Sequence, residues 1–433
     1  MEDNQFETTR HAETDASGGP NPLWTRDFTI LTLGSVVSML GGQLLGFAMS
    51  LLVLDYTGST FFFALYNITY FVPYVVMPLI AGPYLDRFSR KKTIYTLDFI
   101  TAALSGVFAL ILHAGHLNFA ILAAGTFVYG VIGSVYQVAY ESFYPLLITP
   151  GNYSKAYSVA STLQTLTLAM IPVSAFIYNT FGIVPLLAVN VFSYAIAAIF
   201  ETQIRHEEAY IAKRAAESAG EEAKAGLKRF VDDFREGMLY LKSEKGLLAV
   251  AVYFLFSSFA DGGGQTVTLP YFKGAFPNGE YIYMIVWGCG SAARALGGIY
   301  HYRHRMPVEK KYDIALTVYI VINILSAFYL YLPIPAMTLC CVVVGLLGVT
   351  SYNIRISATQ RYVPDEKKGR FNGAFNTLSM IGMLIGQMVA GVLSLRLPLR
   401  LIFMLINLIC LAAALYFIGG NREAISKVYN TQD

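Results

Sequence analysis

"GPYLDRFSRKK", residues 82–92, sets one carboxylate and four cations directly after a long apolar run. The chain has 433 residues, of which 55% are hydrophobic and only 14% charged, so this concentration of charge needs a physical cause. A soluble chain carries roughly a quarter charged residues. Here several apolar runs exceed about 18 residues, enough for a helix to cross roughly 30 Å of hydrocarbon. The sequence therefore reads as an all-α integral membrane protein whose solvent is the lipid bilayer. Residues 82–92 become a short aqueous turn between two spans.

Working outward from that turn gives twelve predicted spans, near 28–54, 61–82, 93–113, 118–141, 156–180, 184–203, 246–272, 280–301, 313–331, 334–357, 371–395 and 398–418. With the N-terminus inside, 26 Lys and Arg fall in inner segments and three (Lys273, Arg396, Arg400) in outer ones. Arg294 and Arg355 lie within spans. Cations collect on the cytoplasmic side of membrane proteins, which predicts a plasma (inner) membrane protein with both termini cytoplasmic. A net charge of +3 gives no reason to expect a nucleic-acid partner. Cys289, Cys340, Cys341 and Cys410 all fall in apolar runs, with neither metal-ligand spacing nor a disulfide framework. There is no phosphate-binding Gly-Lys loop, zinc His-Glu-x-x-His pattern or nucleophile motif. The expectation is no enzyme, no cofactor and no metal.

The chain repeats itself. Adding 216 carries Gly82, Tyr84 and Arg87 onto Gly298, Tyr300 and Arg303, and adding 214 carries Pro150 onto Pro364. Two six-helix halves follow, as in transporters built from repeats. The predicted organisation is a disordered tail at 1–24, bundles at 25–204 and 246–420, a linker at 205–245 and a tail at 421–433. In the linker, Leu227, Phe230, Val231, Phe234, Met238 and Leu241 follow helical spacing, so an amphipathic helix should rest there on the bundle or the inner leaflet.

"GPYLDRFSRKK" resembles the loop signature of the major facilitator superfamily, with Ser89 where the pattern has its second Gly. "QRYVPDEKKGRFNG", "IGMLIGQMVAGVL" and "LDYTGSTFFFALYNITYFVPYVVMPLIAGPYLDR" are similar to its macrolide-efflux and enterobactin-exporter branch. The resemblance covers about residues 25 to 420. It implies the major facilitator fold, with twelve transmembrane helices in two pseudo-symmetric bundles and a central cavity lined by spans one, four, seven and ten. It also implies a conformational latch at Gly82, Asp86, Arg87 and Arg90. In that latch Asp86 meets the start of span eleven, here Gly369 and Arg370 to Asn372, where free N–H groups favour an anion. Arg90 needs an acid at the inner end of span four, and Glu141 is the candidate. The chain departs from many proton-coupled relatives of this type: span four carries no Arg, and span five, "MIPVSAF", keeps Pro172 without their glycines.

Polar groups at membrane depth are expensive and therefore candidates for work. Asp261 and Arg294 stand out, at depths that permit a direct or water-bridged pair. Asp261 precedes "GGGQTVTLP", which predicts a broken or bendable helix. Gln43, Gln137, Asn353, Tyr136 and Tyr253 are candidates for the cavity lining, with Tyr140 and Phe256 as further aromatics. Asp98 and Arg355 read as structural groups near inner ends, and Asp55 as a solvated acid in an outer turn. The expected function is secondary-active export of drug-like or siderophore-like small molecules by a monomer exchanging protons. A nutrient importer or a non-transporting sensor are the alternatives.

Overall fold

The computed structural model describes residues 22–85, 88–206, 208, 222–303 and 306–430; Asp86, Arg87, most of the N-terminal tail and residues 209–221 of the predicted linker lie outside them. The described residues hold helices and no strand. Among the described residues, eleven apolar helical stretches are long enough to cross a membrane.

The chain divides into two units. One takes residues up to Asp55 and Val76–Gly226; the other takes Tyr56–Val75 and Leu227–Asp433. The first contains α1 (Arg26–Thr57), the later part of α2 (Thr60–Leu85), α3 (Arg90–His113) and α4 (Phe119–Phe143). It continues with α5 (Tyr153–Leu168), α6 (Met170–Phe181) and α7 (Val184–Thr202). The second contains α8 (Glu222–Ser243) from Leu227 onward, α9 (Lys245–Ala275), α10 (Gly279–Arg303), α11 (Lys311–Phe328) and α12 (Ile334–Tyr362). It closes with α13 (Asp365–Leu393), α14 (Leu399–Ala413), which runs on as a π-turn, and α15 (Arg422–Tyr429).

The opening stretch explains itself in the first unit. Ser89 is the N-cap of α3: its hydroxyl accepts from Lys92 N at 3.1 Å. A serine in the place of a signature glycine thus satisfies an otherwise orphaned helix donor. The cations that follow sit on carbonyl ends of other helices. Arg90 Nη1 donates to Ser142 O at 3.0 Å near the end of α4, and Lys91 Nζ donates to Ile204 O at 3.0 Å just past α7. Positive groups are favoured there by the helix dipole and by unpaired carbonyls. Charge gathers in this turn because it ties down two neighbouring helix ends.

Three expectations need correction. The predicted fifth span is two helices, α5 and α6, meeting at Ala169. Pro172 is the cause: it lacks an N–H and its ring crowds the carbonyl four residues earlier, at Leu168. In the seventh span the predicted break does not occur, and α9 runs unbroken for 31 residues with Pro270 inside it. Its glycines instead permit close packing on α13. A Cβ on Gly262 would stand 2.1 Å from Met383 O, and one on Gly386 would stand 2.0 Å from Phe259 O. Small residues let helix backbones approach in a medium where no hydrophobic force joins them. A similar crossing joins α10 to α12, where a Cβ on Gly345 would lie 2.2 Å from Gly290 O.

The third correction concerns the start of the eleventh span. Helix α13 begins at Asp365, so Gly369 and Arg370 lie beyond its first turn. The N–H groups left unpaired at the start of this helix are those of Asp365 and Glu366, since Lys367 N donates to Pro364 O at 2.9 Å, and not those of 369–372. Arg370 instead pairs with Glu236 of α8 at 2.6 Å. Helix α8 rests on α13 at this point: a Cβ on Gly237 would be 2.4 Å from Arg370 O. Leu241 is fully buried in the core of the second unit, and Phe234 and Met238 pack against that core.

Candidate functional site

In the second unit, Asp261 on α9 and Arg294 on α10 both face open space. Arg294 is the cation whose charge acts on Asp261, yet the two make no direct ion pair. Gly348 of α12 lies beside the arginine: a Cβ there would sit 3.4 Å from Arg294 Nη2, an ordinary contact. Carboxylate and guanidinium are thus held near one another in an accessible part of a transmembrane bundle, each free to meet a third group. Asn353, on α12, is half-buried.

Two aromatic or cationic candidates stand elsewhere than expected. Tyr253, 3% exposed, is core: its ring lies 4.5 Å from that of Tyr319, so it does not line open space. Arg355 does not reach for an interface. Its guanidinium lies over the rings of Phe375 and Phe254, at 4.8 and 4.9 Å, with Tyr352 at 5.5 Å. Aromatic faces attract a cation through their quadrupole and here replace a carboxylate partner. Nearby, Tyr319 and Tyr429 share a hydroxyl hydrogen bond of 2.9 Å, and burial raises the Tyr429 hydroxyl above its ordinary range. Phe256 stacks on Phe417.

In the first unit, Gln43 on α1 is half-buried and Gln137 on α4 is exposed. Gln137 Nε2 donates to Glu141 Oε1 at 2.8 Å, one turn along the same helix. Arg90 reaches the same helix end as Glu141, but its bond there goes to the carbonyl of the next residue, Ser142. Gly82 lies in the last turns of α2. Asp86 and Arg87, the other latch candidates, fall outside the described residues. Tyr136 and Tyr140 stack 6.0 Å apart at 12°. Asp55 accepts from the Tyr178 hydroxyl at 2.9 Å.

One acid escaped notice in the sequence. Glu201, at the end of α7, is fully buried and faces Asp98 of α3, itself 1% exposed. Asp98 is therefore no interfacial group. An acid just inside a predicted span was the available signal; what the sequence could not supply was its partner, 103 positions away.

Long apolar helices, glycine-mediated crossings and exposed charges at membrane depth define a multi-pass membrane transporter. The Major Facilitator Superfamily model matches residues 31–387. The chain belongs to that superfamily. Macrolide efflux protein A of Streptococcus pyogenes is 22% identical over 412 residues, covering 92% of this chain and 98% of the relative. The MFS-type transporter YkuC of Bacillus subtilis is 26% identical over 242 residues, 55% of each chain, so that match spans about half of either protein. Among solved structures, a bacterial homologue of the iron transporter ferroportin in an inward-facing state aligns with a TM-score of 0.65 at 15% identity, covering 94% of this chain and 99% of the other. The nucleoside transporter NupG aligns with a TM-score of 0.60 at 13% identity, over 92% and 98%. At such identities these two structures speak for the fold alone. The chain is a transporter and not an enzyme.

Proposed function

We propose that this protein exports amphiphilic, macrolide-like compounds across the plasma membrane in exchange for protons. The observation that carries coupling is Asp261: an acid within a transmembrane helix, open to access and electrostatically coupled to Arg294 without being bonded to it. Such an acid can take a proton and return it as its surroundings change; beside Arg294 its ionised form makes a neutral pair and its protonated form leaves one positive charge. The direction of transport rests on full-length similarity to macrolide efflux protein A. In a host stripped of its own pumps, expression should lower accumulation of a labelled macrolide, and an uncoupler should abolish the effect. Accumulation above the control would make the protein an importer.

The termini and α8 are assigned to the cytoplasm on charge distribution. In a background without the four native cysteines, an impermeant thiol reagent added outside should label Asn278→Cys and spare Ser243→Cys. The reverse pattern would invert the topology.

Arg90 is assigned the switching contact at the end of α4, with Glu141 beside it. A bond to a helix-end carbonyl is worth about 1–2 kcal/mol, enough to bias a balanced pair of states without unfolding either. Arg90→Ala and Glu141→Ala should each slow transport several-fold at normal expression. If both act through one contact, the double variant is no slower than the worse single one. Additive losses would separate the two residues.

A further inference from the structure

We propose that Asp98 and Glu201 together form a proton-binding site in the first unit. The two acids come from helices that pack on one another, α3 and α7, and their carboxyl groups lie within hydrogen-bond reach. All four carboxyl oxygens are buried, and no donor among the described residues serves any of them. A third helix closes the site: a Cβ on Gly34 of α1 would stand 3.1 Å from Glu201 Oε1. From α4 the buried Tyr136 hydroxyl lies within electrostatic reach of both acids. Tyr140 faces Glu201 from the same helix, and both tyrosines turn toward Ser35 of α1.

The chemistry of these groups selects the ligand. Ionised carboxylates only accept hydrogen bonds, so two of them facing each other away from water are repelled and unsatisfied. One proton between them converts the contact into an O–H···O bond, and a second removes the remaining charge from the apolar interior. No Lys or Arg among the described residues acts on the pair. Lys91, seven residues before Asp98 on α3, donates instead to the Ile204 carbonyl. A metal ion would want four or more ligands, and no third His, Cys, Asp or Glu joins these two among the described residues. A proton fits where a metal does not.

Gln137 and Glu141 occupy an exposed face of α4, and on the same helix Tyr136 stacks on Tyr140 and lies within electrostatic reach of both acids. A tyrosine hydroxyl both donates and accepts, so it can relay a proton without holding charge. The balance is simple: hydronium gives up a proton to the pair and leaves a water molecule, and release reverses this with no covalent change. The role of this site in coupling rests on the proton-exchange reading above; its ability to bind a proton does not.

The test uses the full-length protein in lipid nanodiscs and needs no transport substrate. Infrared difference spectra between acid and alkaline buffer detect the carbonyl stretch of a protonated carboxylic acid, which a carboxylate lacks. The wild type should show a component from a water-excluded acid. Asp98→Asn and Glu201→Gln should each shift and weaken it, since each leaves one acid without its carboxyl partner, Tyr136→Phe should shift its frequency, and Asp261→Asn should leave it in place. Gel filtration and helical circular dichroism check that each variant is folded. If one carboxyl variant fails to fold, the other and Tyr136→Phe still decide. An unchanged carbonyl band in folded Asp98→Asn, Glu201→Gln and Tyr136→Phe would overturn the site. A band lost only in Asp261→Asn would do the same while leaving the coupling role of Asp261 standing.

Discussion

Asp261→Asn should abolish transport driven by a proton gradient while leaving substrate exchange at equilibrium intact. The substitution keeps shape and hydrogen-bonding capacity but cannot gain or lose a proton. In proteoliposomes, initial rates of gradient-driven macrolide movement should fall on the order of 100-fold, the scale at which removing a proton-transfer group is felt. Counterflow, in which unlabelled compound on one side drives labelled compound across, needs no net proton movement and should persist. The geometry makes this separation sharp. Asp261 and Arg294 are close enough to feel one another yet make no direct bond, so neither is needed to hold the other in place. Asparagine at 261 fixes one charge state of the pair permanently. Full gradient-driven transport by the variant would return Asp261 to a structural role, whereas loss of counterflow as well would point to a lost substrate contact.

The second large effect is on folding. Gly262→Ala and Gly386→Ala each place a methyl group against backbone at the α9–α13 crossing: 2.1 Å from Met383 O in one case and 2.0 Å from Phe259 O in the other. Backbone cannot swing aside as a flexible side chain can, so the two helices must separate along their closest contact. Overpacking of this kind costs about 3 kcal/mol or more at a site that cannot relax. The expected result is a sharp fall in folded, membrane-extracted protein and a melting temperature lower by several degrees. The double variant should lose less than the sum, because one separation of the helices relieves both clashes. Gly298→Ala and Gly369→Ala are the controls, since a Cβ at either position meets nothing within 4 Å. Wild-type melting of Gly262→Ala would show that the crossing is looser than its contacts imply.

Much of this molecule was legible as text. Runs of apolar residues long enough to cross hydrocarbon gave the helices, because a backbone in lipid must satisfy its own hydrogen bonds. The charged turn at residues 82–92 marked the water-facing end of two spans, and its resemblance to a family signature pointed to the superfamily. Asp261 and Arg294 declared themselves as charges where charge is costly. These are one-dimensional signals, set by composition and spacing along a single helix.

Other features depend on which helix lies against which. "GGGQTVTLP" reads locally as a breaker, since glycine is a poor helix former in water. In the folded protein Gly262 faces the backbone of α13 while Gly263 and Gly264 face Ile406 and Phe403 of α14, and the helix runs unbroken through them. Tyr253 reads along the chain as a cavity candidate and Arg355 as a group near an inner end, but Tyr319, Phe254 and Phe375 make one a core residue and the other a cation among rings. Ser89 could be counted as a departure from a glycine until its hydroxyl is seen capping α3. The pairing of Asp98 with Glu201 is the plainest case. Composition along the chain settles that a segment enters the bilayer and at what depth a charge sits. It carries nothing about the rotation of one helix against another, and that rotation is what brings two acids 103 residues apart into a single buried site.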